Sequence, residues 1–331
     1  MNIGEIAKLA GVSRATVSRY LNDGYVSNEK REKIKAVIEE TGYVPSSQAQ
    51  MLRTKKTKLI GVILPKISSE SISKIVNGIS EKLADTGYHL LLANTDNNID
   101  RELEYLNIFK NNQVDGIIFI ATIITTAHKQ AMKELEVPIV IVGQEIGGYC
   151  SIYHDDYHAA KQITEVLINA GCNTLGHIGV TPKDVAAGLN RQKGFVDAIR
   201  EKKERMPHLQ MIATQEGDFS MESGYNLMKK ILSYSQKVDG VFCATDTIAV
   251  GAMEAIKELG LRIPEDISVV GIGDTRMAKV VTPQLTTIKY YYDISGIEAA
   301  DILLKLIDNQ LECVKNTRLG YEIVHRQSIK R

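Results

Sequence analysis

The chain has 331 residues, 44% hydrophobic and 24% charged, which suits two or three packed domains and excludes wholesale disorder or a stapled miniprotein. Its 40 Lys and Arg are matched by 40 Asp and Glu, so taken whole it is neither a strongly basic nucleic-acid binder nor a polybasic membrane binder. That balance hides a division: residues 1–58 carry 11 basic and 6 acidic side chains, and the remainder 29 basic against 34 acidic.

The basic segment reads first as helices. Ile3, Ile6, Ala7 and Ala10 recur at helical spacing, and Gly11 supplies a tight break. Ser13 can cap a second helix over residues 14–21, with Val17 and Leu21 facing inward. A third helix over residues 27–41 places Ile34, Val37 and Ile38 on one face and ends at Gly42. A small residue at Ala7, glycine at the turn and a branched residue at Val17 is the spacing of a helix-turn-helix. Arg14, Ala15, Ser18 and Arg19 lie on the outer face of the second helix. A lone arginine there is an exposed helix charge; in this geometry it can donate two hydrogen bonds to guanine, while hydroxyls and amides at the helix start suit phosphates. Ser13, Thr16 and Asn22 complete the set expected to touch DNA.

The run Ile6-Ala-Lys-Leu-Ala-Gly-Val-Ser-Arg-Ala-Thr-Val-Ser-Arg-Tyr-Leu-Asn22 resembles the headpiece of the lac repressor/galactose repressor family of bacterial regulators. More than a dozen consecutive positions match in type and order. The resemblance assigns base reading to Arg14 and Ala15, with Arg19 as a third position. Tyr20 stands where the family usually has a smaller aliphatic residue.

Residues 45–58 follow as a linker. Pro45 favours an extended entry, and Ser46 or Ser47 can cap a short helix through Leu52. So short a helix does not hold alone in water. Composition reads this segment as a flexible basic linker. The resemblance implies instead a hinge helix whose Leu52, with Ala49 one turn earlier and Arg53 beside it, wedges into the minor groove and kinks the duplex.

From residue 59 onward, short apolar runs alternate with amphipathic helices. Strands are expected at 59–64, 88–93, 116–120 and 138–142, with helices at 73–86, 99–111 and 127–135 between them. A second series runs helix 156–170, strand 174–179, helix 190–203, strand 209–213, helix 220–234, strand 239–244, helix 246–259 and strand 267–272. Two such series predict two doubly wound parallel-sheet lobes with a cleft between them. The expected fold class is thus an all-α helix-turn-helix headpiece plus an α/β body, and the body resembles the family's periplasmic-binding-protein-like core. That resemblance implies three crossings, near 155, 288 and 317. The expected domains are therefore 1–44, the hinge 45–58, a first lobe of 59–154 with 289–316, and a second of 155–288 with 317–331.

Ligands of such sheets bind beyond the carboxyl ends of the strands. The resemblance places effector contacts at Ser69 and Ser71 in a serine-rich loop, and at Arg191, whose guanidinium can bridge sugar hydroxyls or pair with a carboxylate. Asp156, Asp246 and Asp274 fall at other strand ends, and Tyr290 and Tyr292 lie beside a crossing. Asp246 either caps its helix or binds ligand, and the tyrosines either stack on a sugar or pack the lobe interface. Gly273 stands before Asp274 where many family members carry an acid or amide.

His154-Asp-Asp-Tyr-His158 reads as a helix cap with diverging histidines rather than a metal site. No nucleophile elbow, P-loop or dinucleotide fingerprint occurs, so neither an enzyme nor a cofactor is expected. Cys150, Cys172, Cys243 and Cys313 are too scattered for a zinc ribbon or disulfide framework and read as reduced structural thiols. With no signal-like N-terminus, and a longest apolar run of only residues 117–124, a cytoplasmic protein away from membranes is expected.

The resulting expectation is a homodimeric transcriptional repressor of carbohydrate genes, released from a pseudo-palindromic operator by a small sugar, with sucrose the first guess. A regulator needing a co-repressor, either a purine or a phosphorylated carrier protein, is the close alternative. A solute-binding protein would require an export signal and no DNA-reading head.

Overall fold

The computed structural model describes residues 1–22, 24–43, 56–111, 114–311 and 314–330. They form two compact units, Met1–Lys58 and Leu59–Arg331.

In the first unit α1 spans Ile3–Leu9, α2 Arg14–Tyr20 and α3 Asn28–Thr41. Asn2 and Glu5 close a capping box on α1, and Ser13 caps α2 by accepting from the Thr16 amide. Gly11 turns the chain at φ +65°, a backbone conformation that glycine adopts without a Cβ clash. Ile6, Ala7, Ala10, Val17, Val26 and Ile34 form the core, with Tyr20 packed against it. The Tyr20 ring also lies under the Arg31 guanidinium, 5.5 Å from its centroid. The larger side chain is thus accommodated at the core edge, where a cation covers its π face.

The second unit begins with β1 (Leu59–Leu64), α4 (Glu70–Leu83), β2 (His89–Asn94), α5 (Ile99–Lys110), β3 (Gly116–Ile120), α6 (Thr126–Lys133), β4 (Ile139–Val142) and β5 (Cys150–His154). It continues with α7 (Asp156–Asn169), β6 (Thr174–Val180), a π-helical turn at Val185–Asn190, α8 (Arg191–Lys203), β7 (Gln210–Gly217), α9 (Met221–Leu232), β8 (Gly240–Cys243) and α10 (Asp246–Glu258). The remaining elements are β9 (Ser268–Ile272), α11 (Arg276–Val280), β10 (Thr286–Tyr290), α12 (Tyr292–Ile307), β11 (Asn316–Leu319) and β12 (Tyr321–Val324).

Two six-stranded sheets result, ordered β11-β5-β4-β3-β1-β2 and β12-β10-β9-β8-β6-β7. Every described pairing is parallel except β10 with β12. β3 and β4 are buried at every position, as expected for sheets covered on both faces. β5 and the elements after residue 272 were not anticipated. They shift two crossings: β10 pairs with β9 and β12 through Tyr290, and β11 pairs with β5 through Leu319. The chain therefore leaves the second sheet after 290 rather than 288, and the first after 319 rather than 317. Residues 289–290 and 317–319 lie with the sheet opposite to the one expected.

Both lobes contain helix pairs in backbone contact. A Cβ on Gly78 would come within 2.0 Å of the Asp293 carbonyl oxygen, and one on Gly296 within 2.0 Å of that of Ile75, where α4 crosses α12. Across α9 and α10 the equivalent distances are 2.1 Å from Gly224 to Ile248 and 1.9 Å from Gly251 to Met221. Gly251→Ala should destabilise the fold by about 2 kcal/mol, the overpacking strain exceeding the gain in helix propensity. An unchanged denaturant midpoint would show that the helices can part without cost.

His177 on β6 lies between Phe195 and Phe242, with ring centroids 5.1 and 5.2 Å away. Neither of its ring nitrogens has a hydrogen-bond partner, and burial lowers its pKa to about 3. Cys150, Cys172 and Cys243 are buried free thiols. Among the described residues no helix is long and apolar enough to cross a membrane.

Candidate functional site

In the first unit, Val17 anchors α2 to the core, which turns Arg14, Ala15 and Arg19 to solvent and leaves Thr16 and Ser18 half-buried. The Ser13 and Thr16 hydroxyls lie 2.9 Å apart at the start of α2. The Arg14 guanidinium rests against Gly4, where an added Cβ would meet it at 2.7 Å. At the other end the exposed Asn22 amide donates to the Ser18 carbonyl and closes the helix. One short helix thus presents two guanidinium groups, a small side chain and hydroxyls at its N-terminal end, the chemistry needed for base edges and phosphates. Ala49, Leu52 and Arg53 lie outside the described residues.

The two lobes of the second unit enclose a cleft of about 560 Å³, lined by Ser69, Ser71, Asp156, Arg191, Asp246, Tyr290 and Tyr292 among others. Arg191 is its centre. Its Nε donates to Asp156 Oδ1 at 2.7 Å, and Nη1 donates to the Ala244 carbonyl at 2.5 Å. Its guanidinium carbon sits 5.5 Å from the centroid of the Tyr290 ring, whose hydroxyl donates to the same Asp156 oxygen at 3.0 Å. Burial opposes the arginine charge, yet Asp156 and then the two tyrosines hold its pKa above the ordinary value. On the first lobe, the Ser69 and Ser71 hydroxyls are 2.9 Å apart.

Of the alternatives left open for Asp246, the capping role falls to its neighbour. Thr245 caps α10, while the Asp246 carboxylate accepts from the Thr275 amide at 2.8 Å, the Thr275 hydroxyl at 3.1 Å and the Thr287 hydroxyl. Burial raises its pKa against those donors. Asp246 is therefore a buried brace that also lines the cleft. Likewise Asp155 caps α7 and pairs with the exposed His158, so the two histidines of the 154–158 segment diverge.

Asp274 is not brought into this site. It is absent from the cleft lining and is held by Arg326 and by Lys279, the latter at 3.2 Å. Its backbone adopts φ +47°, and its side chain serves the ion pairs with these two residues.

Several lining residues were not among those the sequence marked as effector contacts. His154, at the end of β5, stacks on Tyr290 with centroids 4.3 Å apart and meets Tyr292 edge-on at 5.4 Å. Its Nε2 is buried without a partner. Burial lowers its pKa to about 4, with Arg191 adding and Asp156 opposing. Asp184 accepts from the Ala187 amide at 2.8 Å, and burial raises its pKa to about 6 despite that bond and nearby Arg191. Phe219, Thr275 and Glu70 also border the cleft.

A helix-turn-helix unit joined to a two-lobed body with a polar, aromatic cleft defines a DNA-binding transcriptional regulator. The model of bacterial regulatory proteins of the lacI family matches residues 2–46, and that of the periplasmic binding protein-like domain matches residues 164–329. The sucrose operon repressor of Staphylococcus xylosus is 33% identical, over 94% of this chain and 95% of its own. Catabolite control protein A of Priestia megaterium is 31% identical, over 100% of this chain and 99% of its own. The crystal structure of the lac repressor dimer bound to operator and the anti-inducer ONPF aligns with a TM-score of 0.90 at 27% identity, covering 100% of this chain and 99% of that one. The chain belongs to the lacI family of bacterial regulatory proteins, as the motif at residues 6–22 implied. The head matched at residues 2–46 weighs against a solute-binding protein.

Proposed function

We propose that this regulator represses carbohydrate genes as a homodimer on a pseudo-palindromic operator and lets go when a small uncomplexed sugar, sucrose foremost, occupies the cleft. The observation that carries this reading is the cleft wall. A stacked His154–Tyr290 pair with Tyr292 edge-on offers an apolar face for the C–H side of a sugar ring, and Ser69, Ser71 and Asp156 offer partners for hydroxyls. A volume of about 560 Å³ falls within the usual range for small-ligand sites. Sucrose is favoured by the 33% identity to a sucrose operon repressor.

In this reading Ser13, Arg14, Ala15, Thr16, Ser18, Arg19 and Asn22 engage one major-groove half-site per subunit. Ala49, Leu52 and Arg53 form the hinge, with Leu52 inserted into the minor groove. A sugar that favours one lobe arrangement by a few kcal/mol shifts the population away from the DNA-competent state.

Fluorescence anisotropy on a palindrome selected from a random-core DNA library tests the scheme. Sucrose should weaken binding at least roughly tenfold, a coupling of about 1.4 kcal/mol. Leu52→Ala should lose affinity for the selected site more than for random DNA. Tightening by added ligand would instead establish co-repression, and indifference to a full sugar panel would defeat the sugar reading.

A further inference from the structure

Among the helices that begin at the wall of the cleft are α4 at Glu70, α7 at Asp156 and α10 at Asp246. A helix N-terminus carries unpaired amides and about half a positive charge, which makes it a natural anion site. In these three the first residue is an acid, and all three acids line the cleft. The fold brings positive helix ends to its ligand, and the sequence has already placed a carboxylate on these three, whereas α12 begins at the same wall with Tyr292.

These carboxylates are held where they stand. Glu70 pairs with Lys74 at 3.0 Å and accepts the Arg276 amide at 2.9 Å from the opposite lobe. Asp156 is fixed by Arg191 and Tyr290, and Asp246 by Thr275 and Thr287. An incoming anion cannot displace them without breaking those bonds. Asp184 adds a fourth carboxyl to the lining.

Among the described residues, only Lys66 and Arg191 carry positive charge in that lining. Arg191 is committed to Asp156 at 2.7 Å. Lys66 is exposed at the mouth and within electrostatic reach of Asp218 on the other lobe. His154 stays uncharged near neutral pH, its pKa lowered to about 4 chiefly by burial. Even with Asp246 protonated and Asp184 partly so, the charge balance never becomes positive. What the site does offer is an uncharged hydrogen-bonding group, the buried and unpartnered Nε2 of His154, beside aromatic faces.

We propose that the cleft rejects anions and is matched to an uncharged polyhydroxy compound, so that a phosphate ester of the same sugar is excluded. This rests on the cleft being the effector site. A phosphate monoester brings about −1.5 to −2 charges to a lining without a free cation in its interior.

Thermal-shift and calorimetric titrations of the full chain decide the point, using sucrose, maltose, glucose and fructose, each beside its 6-phosphate. At least one uncharged sugar should bind, with its ester weaker by roughly a hundredfold or more, as expected for a doubly charged group facing carboxylates in a partly desolvated site. The combined Asp184→Asn and Glu70→Gln variant should narrow that ratio by roughly tenfold or more. An ester that binds as tightly as its parent sugar overturns anion rejection and leaves the sugar reading intact. If no member of either set binds, the sugar reading fails and this proposal falls with it.

Discussion

Arg191→Ala is expected to lower the stability of the body by about 3–5 kcal/mol and to abolish the response to sugar. Breaking a buried ion pair on one side leaves the other charge uncompensated in low dielectric, which costs far more than the pair contributes in net terms. Asp156 is that other charge: only 4% exposed, it would keep the Tyr290 hydroxyl at 3.0 Å and lose the guanidinium at 2.7 Å. The Ala244 carbonyl would lose its donor as well. Adding Asp156→Asn removes the stranded charge, so the double variant should recover roughly half of the loss. Urea unfolding of the two variants beside the parent measures both numbers. A single-variant loss under about 1 kcal/mol, the worth of an exposed pair, would mean the pair is solvated rather than buried. DNA binding by folded Arg191→Ala protein should survive, because Arg14 and Arg19 belong to the other compact unit.

His177→Phe is expected to stabilise the protein, and increasingly so as the solution becomes acid. The ring already sits between two phenylalanines, and phenylalanine has no nitrogens to leave unpaired, which is worth about 1 kcal/mol at pH 8. The folded-state pKa of about 3 lies below the ordinary 6.5. A depressed histidine takes its proton first in the unfolded chain, so its stabilising share is complete above pH 6.5 and is lost progressively as pH falls toward 3. At pH 5 the parent should have lost about 2 kcal/mol through this residue, at about 1.36 kcal/mol per pH unit. Asp184 works in the opposite sense, since its raised pKa of about 6 makes stability fall as pH rises from the ordinary carboxylate value to 6. Comparing variant with parent cancels that contribution. A stability difference independent of pH from 8 to 5 would show that His177 is hydrated or paired in solution.

Much of this fold was legible because its signals are local. The Ser13 cap, the Gly11 turn and the inward Val17 each depend on a few neighbouring residues, and all three occur where the spacing placed them. Apolar runs likewise located β1 and β3 at their observed bounds. β11, by contrast, contains Asn316, Thr317 and Arg318 and is a strand because β5 pairs with it, a fact written elsewhere in the chain. The site divides along the same line. Arg191 was placed in the cleft lining through its surrounding motif, whereas His154 and Asp184 reach that lining beside neighbours remote in sequence. Asp274 stands outside the cleft lining, paired with Arg326 from near the far end of the sequence.

The π-helical turn at Val185–Asn190 runs directly into α8, so Arg191 emerges one residue later than continuous α-helix would bring it. Such a bulge amounts to a single insertion in a helix, and one residue corresponds to about 100° of rotation at 3.6 residues per turn. Removing one residue there would keep every functional group and turn the guanidinium away from Asp156. Ligand preference in this architecture can thus diverge by a change in chain length before a single side chain in the pocket is exchanged.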